Sequence, residues 1–224
     1  MKIVAVIPAY NEGGRIGETI LDAARFVDAV VVVDDCSKDT TGVEARAHGA
    51  HLLTHLVNCG QGAALQTGMD YALKILRAEI VVHFDADGQM RGEEIPMMVK
   101  PIVDGQVDVT LGSRFLGKAE NIPLARRWML KAAVVFTYLT SGLWLSDTHN
   151  GFRAFSARAA RSIRLRQNRM AHASEILDQI GDKKLSYREI PVTIRYTEAS
   201  LAKGQKTGAL FRIVSDLFKS KFIH

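Results

Sequence analysis

The sequence predicts a mostly parallel α/β sheet covered by helices on both faces. Near-continuous apolar runs such as AVVVVD (29–34) and IVVHF (80–84) alternate with segments whose apolar residues recur at helical spacing. Strands apolar on both sides suit a sheet buried from both sides, as parallel sheets are. Strand and helix alternate from the first residues, which is the pattern of a layered α/β fold.

Each element follows in order. KIVAVI (2–7) is the first strand. Ile16, Ile20, Ala23, Ala24 and Val27 mark a helix, and AVVVVD is the second strand. A helix from about Thr40 to His48 precedes a short strand at HLLTH (51–55). Leu65, Met69, Ala72, Leu73 and Leu76 mark the next helix, followed by IVVHF. Ile95, Met98, Val99 and Ile102 give another, before the strand VDVTLG (107–112). After Phe115 the pattern loosens, and Gly117, Asn121 and Pro123 predict a mobile loop. Past Ser156 come more helix, a strand within LSYREIPVTIRY (185–196), and a terminal helix with Ile213, Val214, Leu217 and Phe218 on one face. There is no internal repeat and no low-complexity linker. The simplest organisation is one domain over 1–224, with halves of about 1–115 and 116–224.

Composition agrees. A chain of 224 residues that is 47% hydrophobic and 24% charged can bury a real core. Cys36 and Cys59 supply neither a disulfide framework nor a zinc pattern. MKIVAVIPAY reads as a strand rather than an export signal, so a cytoplasmic location is expected. The net charge of +5 permits attraction to phosphates or an anionic surface without requiring either. Residues 128–145, WMLKAAVVFTYLTSGLWL, are apolar with only Lys131 charged, at the short limit of a bilayer span of roughly 20 residues. Ser141 and Gly142 interrupt the run, so a core helix and loop is the simpler account. A helix lying on a membrane, with Arg126, Arg127 and Lys131 at the headgroups, is the other.

In an open parallel sheet, ligands bind beyond the carboxyl ends of the strands. Here each such end carries polar or glycine-rich chemistry: PAYNE (8–12), DDCSKDT (34–40), NCGQGAA (58–64), DADGQ (85–89) and GSRF (112–115). The first turn lacks G-x-G-x-x-G, and no G-x-x-x-x-G-K-[ST] loop is present, which argues against the common dinucleotide and P-loop sites. Asp85, Asp87 and Gln89 place hard oxygen donors on one turn behind a buried strand. That suits Mg²⁺ or Mn²⁺ bridged to substrate phosphates. A solvated turn is the plain alternative for a D-x-D taken alone.

As an ordered set, IPAYNE, VVDDCSKDTT, NCGQGAA, FDADGQ, GSRF and DTHNGFRAF resemble the family 2 glycosyltransferases. The nearest look is to dolichyl- or polyprenyl-phosphate sugar synthases and bacterial polysaccharide-cluster transferases, over roughly residues 2 to 200. The resemblance implies a glycosyltransferase A type fold, a single Rossmann-like domain with a nucleotide-sugar half and an acceptor half. It implies that Pro8, Tyr10 and Glu12 lie against the base and ribose, and that Asp34 or Asp35 reads the base. Asn58, Gly60 and Gly62 belong to the glycine loop near the donor. Asp85 and Asp87 match the metal-binding pair, with Gln89 beside them. Arg114, and one of Arg126 or Arg127, resemble arginines that hold acceptor phosphate. Asp147, Gly151 and Arg153 match the D-x-x-x-G-F-R element, and Lys203 resembles the basic residue of a closing loop. Two departures stand out. Gln61 occupies a position where the family often has lysine, and the chain ends in the basic, amphipathic SDLFKSKFIH with no hydrophobic spans after residue 200.

The implied reaction is inverting, metal-dependent transfer of a hexose from a UDP- or GDP-sugar to a polyprenyl phosphate. Membrane contact would be peripheral, and no nucleic-acid partner is expected. A lipid phosphate needs arginines and no base. A saccharide hydroxyl would instead need a carboxylate to take its proton, for which Asp147 and Glu175 are the candidates. A non-catalytic sugar-nucleotide-binding subunit is the alternative of another class. In MAHASEI, His172 and Glu175 stand three apart on an expected helix, but H-E-x-x-H is absent and a metal pair is not expected.

Overall fold

The computed structural model describes residues 1–120, 142–148, 150–167 and 171–195. Its first elements are β1 (Ile3–Ala9), α1 (Ile16–Ala24), β2 (Ala29–Asp34), α2 (Thr41–Ala47), β3 (His51–Thr54), α3 (Gln61–Lys74) and β4 (Ile80–His83). A short 3-10 turn at Gly92–Glu94 leads into α4 (Ile95–Val103). Then come β5 (Val109–Glu120), β6 (Arg153–Ser156), α5 (Ala157–Ser162), α6 (Ala171–Asp182) and β7 (Tyr187–Arg195).

Among the described residues the strands form one seven-stranded sheet, in the order β3-β2-β1-β4-β6-β5-β7. All run parallel except β6, which pairs antiparallel with β4 and β5. Successive side chains of a strand point to opposite faces, so a strand buried on both faces feeds two cores. Val4, Val6, Val31, Val33 and Val81 pack against Leu65, Met69 and Leu73 of α3 and Ile176 and Ile180 of α6. Ala5, Ile7, Val30, Val32 and Val82 pack against Ile16 and Ile20 of α1 and Ile95 and Met98 of α4. Burying each large aliphatic side chain contributes about 1.5–3 kcal/mol. The two cores explain why the strand sequences are apolar throughout rather than alternating.

Two expectations about the chain are corrected. The stretch after Phe115 is not a loop up to residue 120: β5 continues to Glu120 and pairs with β7 after a register shift between Ser113 and Lys118. Gly117 is needed there because a Cβ would lie 2.3 Å from the carbonyl oxygen of Val192. The glycine lets two backbones approach and does not end the strand. No strand was expected over RAFS, yet β6 lies there, between β4 and β5. Four residues are too few to show a period. Because β6 is antiparallel, it enters the sheet at the end where the parallel strands leave it. That brings Asn150, Gly151 and Arg153 to the loops after β1 and β4.

Arg126, Arg127, Lys203, most of the 128–145 segment and the terminal helix lie outside the described residues. Among the described residues no helix is long and apolar enough to cross a membrane.

Candidate active site

A cavity of about 370 Å³ opens at the carboxyl ends of the parallel strands. Pro8, Tyr10 and Glu12 line it from the end of β1, Asp35 from the end of β2, and Asp85, Asp87 and Gln89 from the turn after β4. Gln61 comes from the start of α3, Arg114 from β5, Gly151 and Arg153 from the entry to β6, and His172 from the first turn of α6. The carboxyl-end rule thus gathers groups that are far apart in the chain.

The D-x-D turn has unbalanced charge. Burial, and then the charge of Asp87, push the Asp85 carboxyl up to about 7, while Arg153 and Arg114 pull against the shift and Glu12 adds to it. Burial also raises Asp87, with Glu12 adding to the effect and the Gln89 backbone N–H and Arg15 opposing it. Gln89 N donates to Asp87 Oδ1 at 3.0 Å and shapes the turn, where Gly88 has φ +71°. Gln61 Nε2 donates to Asp85 Oδ1 at 3.1 Å. A neutral amide therefore meets the carboxylate at this position. Gly151 leaves room for this carboxylate, since a Cβ there would sit 2.4 Å from Asp85 Oδ2. Two hard carboxylates that resist ionisation, facing a cavity beside an amide side chain, fit a divalent cation. Asp85 and Asp87, with Gln89, are the residues that could hold one.

On the other wall, Arg114 Nε donates to Asp147 Oδ2 at 2.6 Å, and the Arg114 backbone N–H donates to the same oxygen at 3.1 Å. Both side chains are buried, at 6% and 0% exposed. Asp147 is itself held from behind. Glu189 accepts from the backbone N–H groups of Ser146 and Asp147, at 2.8–3.1 Å. Arg153 Nε donates to the Asn150 carbonyl oxygen at 3.1 Å. Burial lowers the Arg153 guanidinium to about 10, against the pull of Asp85 and Asp147. It keeps its charge near neutral pH.

Several expected site residues are placed differently. Asp147 is not an available base: its carboxylate aims Arg114 and is shielded from the cavity. Glu175 is not at the cavity either. It accepts from Arg166 N at 3.0 Å and Gln167 N at 2.9 Å, and so holds the chain ahead of α6. Asp34 turns away and accepts from Ser37 N at 2.9 Å. Asn58 is exposed and does not line the cavity. Gly60 N donates to Asp35 Oδ2 at 2.7 Å, and a Cβ on Gly62 would lie 2.2 Å from the Gln167 carbonyl oxygen. Gly60 is thus tied to the Asp35 carboxylate, and Gly62 is packed against backbone. Glu189 and His55 were missed in the sequence. Neither belongs to a motif, and each acts only through residues brought to it by folding. His172, not expected as a metal ligand, is brought to the cavity wall by folding.

Residues 4–164 match the family described as Glycosyl transferase family 2. The chain belongs to this family and is a nucleotide-sugar-dependent glycosyltransferase. It is similar to an uncharacterized protein of Methanocaldococcus jannaschii, with 35% identity over 98% of this chain and 92% of the relative. The UDP-N-acetylglucosamine–dolichyl-phosphate N-acetylglucosaminyltransferase of Methanococcus voltae is 32% identical, over 98% and 96% of the two chains. The undecaprenyl-phosphate mannosyltransferase of Micrococcus luteus is 29% identical, over 94% and 89%. Among solved structures, glucosyl-3-phosphoglycerate synthase from Mycobacterium tuberculosis matches with a TM-score of 0.77 at 20% identity, over 98% of this chain and 79% of that one. That likeness is one of fold, the glycosyltransferase A type.

Proposed function

We propose that the protein moves a hexose from a UDP- or GDP-sugar to a polyprenyl phosphate, with inversion at the anomeric carbon. One observation carries this reading. The cavity is lined by Arg114 and Arg153, while both carboxylates considered as bases are engaged elsewhere, Asp147 with Arg114 and Glu175 with backbone N–H groups. A phosphate oxygen is already anionic and asks for guanidinium groups, not for a base. The activities that name the Methanococcus voltae and Micrococcus luteus relatives, both on polyprenyl-type phosphates, support the same class.

The roles follow from position. Pro8, Tyr10, Glu12 and Asp35 would bind the nucleoside, and Arg114 and Arg153 would orient the acceptor phosphate on the opposite side of the cavity. Mg²⁺ or Mn²⁺ held by Asp85 and Asp87, with Gln89, would act as a Lewis acid on the leaving diphosphate. Asp147 would keep the Arg114 fork in a single orientation, which is how a positioned group lowers a barrier. The protein would work in the cytoplasm, in peripheral contact with the cytoplasmic membrane where its acceptor resides.

The test is a panel of UDP- and GDP-hexoses with Mg²⁺ or Mn²⁺, offered a short polyprenyl phosphate in detergent or free saccharides. Glycosylated lipid phosphate is the expected product. Transfer to saccharide hydroxyls alone would overturn the acceptor assignment. Donor binding without any transfer would favour a binding subunit.

A further inference from the structure

Behind the nucleotide side of the cavity, Asp35 meets two side chains that no part of the proposed reaction uses. Asp35, His55 and Cys59 have ligand-type atoms all within 4.8 Å of one another, an arrangement able in principle to hold a metal ion. Their hydrogen bonds give the cluster another purpose. Asp35 Oδ1 accepts from the Cys59 backbone N–H at 2.8 Å and lies 2.8 Å from His55 Nδ1. Asp35 Oδ2 accepts from Gly60 N at 2.7 Å. His55 Nε2 lies 3.0 Å from Thr67 Oγ1, on α3. The Cys59 thiol points to the Val57 carbonyl oxygen at 3.4 Å.

An ionised carboxylate only accepts, so His55 Nδ1 carries the hydrogen. In the neutral ring Nε2 then accepts from the Thr67 hydroxyl. Both ring nitrogens and both carboxylate oxygens are thereby occupied, and a metal would have to break these bonds to enter. Asp35 is buried, with its side chain 4% exposed, yet it lines the cavity. The residue after Gly60 is Gln61, whose amide reaches Asp85. A chain of contacts thus runs from Thr67 through His55 and Asp35 to the 59–61 turn and on to the D-x-D turn.

We propose that His55 is a positioning residue for the donor substrate: it fixes the Asp35 carboxylate and, through it, the 59–61 turn, so that the cavity is pre-shaped for a nucleoside diphosphate. The proposal rests on the reading of the Asp35 side as the nucleotide side. It is independent of what the acceptor is. Losing a hydrogen bond to a charged group should weaken donor binding about tenfold or more.

The experiment is calorimetric titration of UDP and GDP, each with Mn²⁺, into wild type, His55→Ala, His55→Asn and Thr67→Val, with thermal melts alongside. Asparagine places a donor near the position of Nδ1, so His55→Asn should recover most of the affinity that His55→Ala loses. Thr67→Val should lose a smaller share. Nitrogen NMR should show His55 as the Nδ1–H tautomer. Wild-type affinity in His55→Ala would overturn the proposal. So would equal losses in the alanine and asparagine variants that track their melting temperatures, since that marks a merely structural residue. Stoichiometric zinc in purified protein, lost on His55→Ala, would show that the cluster is a metal site instead. Failure of the polyprenyl phosphate assay would affect only the acceptor assignment and leave these outcomes readable.

Discussion

Asp87, in the turn after β4, and Asp147, in the stretch ahead of β6, are both carboxylates, and their surroundings give them opposite tasks. Asp87 faces the cavity next to a second carboxylate, and burial raises its pKa. Asp87→Ala is expected to abolish nearly all turnover while the melting temperature stays within a few degrees of wild type, because removing a repelled charge leaves no buried partner behind. Substantial activity of that variant without divalent metal would remove the D-x-D role. Asp147 has a buried partner, and breaking such a pair costs about 3–5 kcal/mol. Asp147→Asn should therefore unfold at clearly lower denaturant, and the double variant Asp147→Asn, Arg114→Met should recover much of the loss. A stable Asp147→Asn protein that fails only in catalysis would return Asp147 to the candidate bases. In the sequence, both residues were visible as parts of motifs. What separated them was invisible there: Asp147 meets Arg114 across 33 positions of chain, and only β6 entering the sheet beside β5 brings them together.

At the scale of elements, close approach and carboxylates that tie strands together decide more than propensity. A Cβ on Gly68 of α3 would lie 2.3 Å from Val6 Cγ1 on β1. Gly68→Ala should destabilise the fold by about 1–3 kcal/mol through overpacking, read by chemical denaturation, although alanine is the better helix former. A gain in stability would show that α3 can shift outward freely. Asp108, just ahead of β5, ties that strand to the start of β7 and to α5. Its carboxylate accepts from Ser186 Oγ at 2.7 Å, Ser186 N at 3.2 Å and Arg158 Nε at 3.1 Å. Burial alone would raise its pKa, but the bonds from Ser186 and Arg158 outweigh it and hold the group below the usual 3.8. A depressed folded pKa means stability that is fully present above the unfolded value and lost as pH falls through the folded one. Asp108→Asn should thus cost about 1–2 kcal/mol at pH 7. The gap to wild type should close as pH falls through the lowered value of the wild-type carboxyl and that group becomes protonated. A gap independent of pH would mean that shape, not charge, sets the contribution. The elements themselves were largely legible, since α1, α3 and α4 lie where the apolar spacing put them. The extension of β5 was not, because its partner β7 lies far along the chain.

For the whole molecule, the cavity exists because one continuous sheet brings loops from both halves of the chain to one end. A cation bound there would bind only the folded state. At a free concentration of 100 times its dissociation constant it should stabilise the protein by about 2.7 kcal/mol. Melting curves with and without Mg²⁺ or Mn²⁺, after chelation, should show an upward shift that Asp87→Ala lacks; no shift in the wild type would count against a resident cation. The sequence by itself determined the fold class, the order of most elements, the family and the strand ends that carry chemistry. These depend on local periodicity and on short motifs, which a linear chain displays. Only the tertiary structure decided that β6 runs antiparallel, that Gly62 packs against backbone, that Asp147 and Glu175 are tied up, and that His55 stands behind Asp35. Each of these is a pairing between residues distant in sequence. Such pairings are set by how the sheet closes and by which buried polar groups must find partners.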